Sequence, residues 1–197
     1  MKSSPRRTKR TRDPDSKLAA LHAAALDQFT TRGYEQVSIA QIAKQAGIAV
    51  GTVYRFYENK LSLLRAMLEG VEGAFVSRMA ADWETGGEFA DRLDRICEGV
   101  FDVARERSAM LRLFTMTTDV VYADGTAPGG RIQEQIRAMY QEAADAGAFR
   151  GGDAEMMAAL THGMVEGALM RWMHLGSPDQ TSAPQDLAAV MKHGILA

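Results

Sequence analysis

An all-α fold is predicted from three observations. Apolar residues recur at spacings of three and four along most of the chain, the period of a helix with one buried face. No stretch alternates apolar and polar residues as a strand would. The 197 residues include only 5 prolines, while Ala, Leu and Met abound, a composition that favours helices. The length suits one or two domains with enough chain to bury a core.

The elements can be justified in order. Residues 1–14 are rich in Ser, Pro, Thr and Arg without an apolar period and read as a disordered basic arm. A first helix is expected from Asp15, where Leu18, Leu21, Ala25 and Phe29 share a face. Asp13 or Asp15 can cap its start, and Gly33 ends it. Ser38-Ile39-Ala40-Gln41 has the form of a capping box, in which hydroxyl and amide satisfy free N–H groups at a helix start. That short helix turns Ile39, Ile42, Ala43 and Ala46 inward and stops at Gly47. A third short helix covers about 50–57. Asn59 caps a fourth over 60–83, with Leu61, Leu64, Leu68, Val71, Phe75 and Met79 along one side. After a break at 84–87, a helix over 88–106 repeats at Phe89, Leu93, Ile96, Val100 and Ala104. Ser108 can cap the next helix, over 109–122, and a Gly/Pro loop follows at 123–130. A helix over 131–146 carries Ile132, Ile136, Met139, Tyr140 and Ala143. The chain turns at 147–152, and Asp153 caps a long helix reaching 175. A loop covers 177–183, and Pro184 opens a last helix to about 195, since a first turn tolerates proline.

The formal net charge is −2, which by itself argues against a nucleic-acid partner. The distribution reverses that. Residues 1–65 hold 12 Lys/Arg and 5 Asp/Glu, a net +7, and residues 66–197 hold 11 and 20, a net −9. Such asymmetry points to a polyanion contacted by one end only. A single cysteine, Cys97, cannot form an intrachain disulfide, so a reducing compartment is expected. No run of 18 apolar residues spans a membrane, and no apolar stretch directly follows the basic start as in a secretory signal. These features predict a cytoplasmic protein without a membrane partner.

Short helix, Gly turn and short helix over 38–57 form a helix-turn-helix pattern. In such a pair the first helix crosses the backbone of DNA and the second lies in the major groove. Ile39, Ile42, Ala43, Ile48 and Val53 would make a small core with Leu21, Ala25 and Phe29. Lys44, Thr52, Tyr54, Arg55 and Lys60 would face outward, where hydroxyls and bases bind phosphate oxygens and groove-facing side chains read base edges.

The segment from about Leu18 to Leu64 closely resembles the DNA-binding segment of the TetR family of bacterial transcriptional regulators. The likeness is carried by Phe29, Gly33-Tyr34, Ser38-Ile39-Ala40-Gln41-Ile42-Ala43, Gly47-Ile48 and Gly51-Thr52-Val53-Tyr54-Arg55-Phe56-Tyr57-Glu58-Asn59-Lys60. The resemblance implies an all-helical homodimer with an N-terminal three-helix DNA domain, over 15–59, and a helical ligand-binding and dimerisation domain, over 60–197. It implies double-stranded DNA with a palindromic operator and a small-molecule effector as partners. The dimer would form through helices at about 153–175 and 184–195. Residue by residue, Thr52, Tyr54 and Lys60 match phosphate-contacting positions, and Val50, Gly51, Arg55 and Phe56 match positions near base edges. Lys44 is either a further DNA contact or a solvated charge. The basic arm is either a solubilising tail or a minor-groove or phosphate contact. Two departures matter. Ala49 stands where Ser or Thr often caps the recognition helix. Phe56-Tyr57 stands where Tyr-Phe is usual, so a phenol falls where a core ring is expected.

Eleven of the 12 methionines lie after residue 66, and such side chains suit adaptable pockets as well as ordinary cores. Met110, Met116 and Met139, with Phe101, Phe114 and Tyr140, are the expected ligand-lining residues. His162, Glu166 and His174 share a helix face. Two histidines twelve positions apart are roughly 18 Å distant along a helix and cannot share one ion. His162 and Glu166 therefore read as a polar pair of the pocket or dimer interface, and no metal or cofactor is expected. Cys97 reads as a small buried apolar residue and His22 as structural. No HExxH, GxSxG, P-loop or GxGxxG motif is present, so an enzyme is not expected. A ligand-released repressor and a ligand-free architectural DNA-binding protein differ in whether the acidic domain has a cavity.

Overall fold

The computed structural model describes residues 13–123, 129–148, 153–174 and 183–195. Among them the order is α1 (Pro14–Arg32), α2 (Ile39–Ala46), α3 (Val50–Phe56), α4 (Lys60–Glu84), α5 (Phe89–Glu106), α6 (Ser108–Met116), α7 (Thr118–Val121), α8 (Gly130–Asp145), α9 (Ala154–His174) and α10 (Ala183–Ile195). No strand occurs among the described residues.

The local signals explain most boundaries. Ser38 Oγ accepts from the Gln41 amide and Gln41 Oε1 accepts from the Ser38 amide at 2.7 Å, so the capping box is formed. Gly33 ends α1 with φ +85° and ψ 145°, a combination essentially open only to glycine. Asn59 Oδ1 accepts from the Ser62 amide at 2.8 Å and starts α4. Asp153 Oδ1 accepts from the Glu155 amide at 3.1 Å and starts α9.

Some boundaries differ from expectation. α1 begins at Pro14, with Asp13 in the capping position but its side chain unused, so residue 14 belongs to the helix. Residues 1–12 of the expected arm lie outside the described residues, as do most of the loops expected at 123–130, 147–152 and 177–183. Ser108 is the first residue of α6 rather than its cap. The helix expected over 109–122 is broken, because Thr117 turns its hydroxyl back onto the Leu113 carbonyl at 2.8 Å. Such back-bonding competes with the helical ladder.

The chain divides within α4 into two compact units, Met1–Leu63 and Leu64–Ala197. In the first, Leu21, Ala25, Phe29, Ile42, Ala43 and Val53 are fully buried. Each of the larger ones contributes about 1.5–3 kcal/mol by leaving water. Gln45 Nε2 donates to Asp27 Oδ2 at 2.7 Å, and Gln28 donates to Gln45, tying α2 to α1. In the second unit α5 supplies the central apolar face, including Leu93, Ile96, Val100 and Val103. Trp83, Phe89 and Tyr140 meet edge to face at 5.9 and 6.0 Å. Glu142 accepts from Trp83 Nε1 at 2.8 Å and pairs with Arg92 at 3.1 Å, joining α4, α5 and α8. The Trp83 and Arg92 contacts hold the Glu142 carboxyl below its ordinary pKa. Lys192 pairs with Asp94 at 2.7 Å and holds α10 against α5.

Candidate nucleic-acid interface and ligand cavity

α2 ends at Gly47 in the left-handed conformation, φ +67° and ψ 36°. Its amide donates to the Ala43 and Lys44 carbonyls, and the chain reverses into α3. α3 buries Val53 completely and presents its other face outward. Val50 is 40 %, Tyr54 55 % and Phe56 38 % exposed. Gly51, Arg55 and Lys44 are exposed and Thr52 is half-buried. Three large apolar residues left in water around one buried valine form a surface that other contacts must account for. Ala49 gives α3 no side-chain cap, as its methyl dictates.

Lys60, an expected site residue, and Tyr57, the displaced phenol, both have definite partners. Lys60 Nζ donates to the Tyr34 carbonyl at 2.7 Å and the Glu35 carbonyl at 3.4 Å, and lies 4.2 Å from the centre of the Tyr34 ring. Its ammonium braces the link between α1 and α2. The Tyr57 hydroxyl and His22 Nε2 are 2.7 Å apart, with ring centroids at 5.8 Å. The displaced phenol therefore has a partner on α1, and burial pushes the His22 pKa down.

The second unit contains a cavity of about 160 Å³, roughly ten times what one water needs. α4 lines it with Leu68, Val71, Glu72, Phe75, Met79 and Trp83. α5 adds Leu93, Ile96, Cys97 and Val100, and α8 adds Ile132, Ile136, Met139 and Tyr140. α9 contributes Thr161, His162, Val165, Glu166, Leu169 and Met170. Tyr140 and Thr161 hydroxyls hydrogen-bond at 2.8 Å, and burial raises the Tyr140 pKa. Burial, aided by Asp94, pushes the Cys97 thiol up to about 12. It is no nucleophile at neutral pH, and it packs 3.8 Å from Met191 Sδ.

Of the six expected lining residues, Met110, Phe114, Met139 and Tyr140 face the cavity. Phe101 does not: it is buried against Trp172, edge to face at 6.4 Å. Met116 does not either, being 58 % exposed at the end of α6, where Thr117 breaks the helix. Both sit on apolar helix stripes, and spacing alone does not say which stripe borders a void. His162 and Glu166 do line the cavity together. His162 also packs against Gly129, where an added Cβ would lie 3.0 Å from its ring. The side chain of His174 is outside the described residues. Trp83, Phe89 and Leu93 are lining residues that sequence reasoning missed, although each fell on an apolar face it had marked or beside one.

Residues 21–67, which hold α2, α3 and the exposed face just described, match the family described as bacterial regulatory proteins, tetR family. That segment, about a quarter of the chain, is a tetR-family DNA-binding segment. A nucleoid occlusion factor, SlmA, from Haemophilus influenzae (strain PittGG) is 27% identical over 84 residues, 43% of this chain and 38% of that protein. A fatty acid metabolism regulator protein from Bacillus subtilis (strain 168) is 39% identical over 59 residues, 30% of each. The chain thus spans less than half the length of these curated relatives. The crystal structure of the transcriptional regulator FadR from Bacillus subtilis in complex with stearoyl-CoA has the same fold. It superposes with a TM-score of 0.73 at 19% identity, over 87% of this chain and 96% of that one.

In the second unit α9 also leaves an apolar stripe in water. Met156 and Leu160 are more than half exposed, and Gly163 and Gly167 continue the stripe along the same helix. On α10 Val190 is 60 % exposed. Among the described residues no helix is long and apolar enough to cross a membrane, and no three His, Cys, Asp or Glu side chains gather as a metal site.

Proposed function

We propose that this protein is a cytoplasmic, sequence-specific DNA-binding transcriptional regulator, a repressor released from a palindromic operator by a small hydrophobic or amphipathic molecule. The observation that carries the reading is the outward face of α3, Val50, Tyr54, Arg55 and Phe56 around buried Val53, within a TetR-family segment. Thr52 and Tyr54 serve phosphates, and Lys44 adds a charge beside them. Val50, Gly51, Arg55 and Phe56 read base edges. Lys60 serves phosphate through its backbone amide at the start of α4, since its ammonium is engaged elsewhere. Two copies pair through the exposed stripes of α9 and α10, and a palindromic operator offers them half-sites roughly 34–36 Å apart.

The effector occupies the cavity of the second unit. α4 couples the two events: it begins at Lys60 in the first unit and lines the cavity from Leu68 to Trp83 in the second. A relative of this fold in complex with stearoyl-CoA supports an amphipathic effector. Coupling of this kind is typically ~1–3 kcal/mol, or about 5–150-fold in affinity. The test is selection of binding sites from random double-stranded DNA, followed by anisotropy titration with and without effector candidates. Palindromic sites released by a bound ligand are expected. Sites without two-fold symmetry, or a ligand that saturates the protein without changing operator affinity, would overturn the reading.

A further inference from the structure

We propose that the cavity accepts an amphiphile with a long apolar body and a cationic head, and rejects anionic ones. This deepens the effector reading above and rests on it. The body follows from the shape of the lining. Leu68, Val71, Phe75, Met79 and Trp83 occupy successive turns of one face of α4, and the span from 68 to 83 is about 22 Å. Almost everything opposite that face is apolar as well.

The head follows from the charges. The acidic side chains in the lining are Glu72 on α4 and Glu166 on α9, with His162 one turn before Glu166. Among the described residues no lysine or arginine lines the cavity. Two arginines touch its neighbourhood without entering the lining. Arg131 is exposed and uses its backbone amide, not its guanidinium, on Glu72 Oε1 at 2.8 Å. Arg65 Nη2 donates to the Val121 carbonyl at 3.3 Å. Glu72 keeps acceptor capacity, because a carboxylate offers about four lone-pair sites. The field of Glu166 reaches Tyr122, another lining residue, whose pKa burial and that charge both raise. A cationic head meets opposite charge here, whereas a carboxylate or the phosphates of an acyl-CoA would meet like charge with no base among the described lining residues to pair them.

The test uses the full chain and three probes built on a sixteen-carbon chain, hexadecyltrimethylammonium, hexadecanol and palmitate, each below its micelle concentration or solubility limit. Affinity is read by calorimetry and by thermal shift. The cation is expected to bind at least tenfold more tightly than palmitate. Glu166→Gln should weaken the cation about two- to fivefold and leave hexadecanol unchanged, and Glu72→Gln should act in the same direction. Glu166 is exposed, so its variant keeps the fold even if loss of the Glu72 contact to α8 does not. Palmitate binding as tightly as the cation overturns the charge rule alone and leaves the effector reading standing. A cation affinity indifferent to Glu166→Gln and Glu72→Gln overturns it too, because it reveals adsorption to the acidic surface. Failure of all three probes to bind overturns the cavity-effector reading together with the proposal.

Discussion

Tyr57→Phe removes one oxygen and tests whether the hydroxyl after α3 is structural. The bond to His22 Nε2 is short, 2.7 Å, and its ends lie 35 residues apart on the chain, so it closes a long-range link from α1 to the residue ending α3. An intramolecular hydrogen bond nets about 0.5–1.5 kcal/mol, and stranding a buried partner costs more. His22 is only half-buried, so water recovers part of the loss. The expected destabilisation is therefore about 1 kcal/mol, on the order of a fivefold change in the folded ratio of the first unit. Both tryptophans, Trp83 and Trp172, lie in the second unit, so their fluorescence reports the wrong one. Amide exchange of α1–α3, read in urea, reports the right one. A cycle with His22→Ala should give a coupling of about 0.5–1 kcal/mol. A fully additive cycle, or a Phe variant as stable as the parent, would refute the pairing and return Tyr57 to a ring that only fills space.

Four more outcomes are expected. The neutral form of His22 is favoured in the fold, so its stability contribution is whole above pH ~6.5 and is lost as pH falls below it, where the unfolded chain takes up the proton first; urea midpoints at pH 7.5 and 5.5 should differ in the parent and converge in His22→Gln. Gly33→Ala should cost about 1–3 kcal/mol although nothing lies within 4 Å of the added methyl, because the penalty is the backbone conformation itself; urea unfolding measures it. Lys60→Met should lower stability by about 1–2 kcal/mol through loss of the carbonyl bonds and the Tyr34 ring contact, and an unchanged urea midpoint with weaker DNA binding would show the ammonium is used on phosphate instead. In anisotropy titrations Tyr54→Ala should weaken binding to all sequences alike and Arg55→Ala should change the preference among them, with affinity falling steeply as salt rises.

Much of the fold was legible because its signals are local. Ser38 and Gln41 close their capping box within one turn, and Gly33 and Gly47 announce positive φ by their lack of a side chain. The apolar period marked the faces of α1, α2 and α5 correctly. What escaped depends on partners far along the chain. Lys60 read as a phosphate-contacting charge at a helix start, but its ammonium has acceptors 25 and 26 residues back. Phe101 looked like a lining residue, but Trp172 fills the space beside it. The Phe56-Tyr57 inversion was visible, while the reason it is tolerated, His22, was visible only in three dimensions. The break at Thr117 was hidden because a threonine in a helical run either points outward or bonds backward, and the sequence is the same for both.

The cavity wall includes Met79, Met110, Met139, Met170, Met173 and Met191. Unbranched thioethers reshape themselves at little energetic expense. A wall built this way enforces outline weakly, since a bent chain, a ring or a shorter tail each finds a new set of rotamers. Discrimination must then come from features that methionine cannot adjust, the fixed charges at Glu72 and Glu166. A series of compounds varied in contour should produce nearly flat responses, and the same series varied in head-group charge should produce steep ones. Such a sensor would register a chemical class rather than a compound.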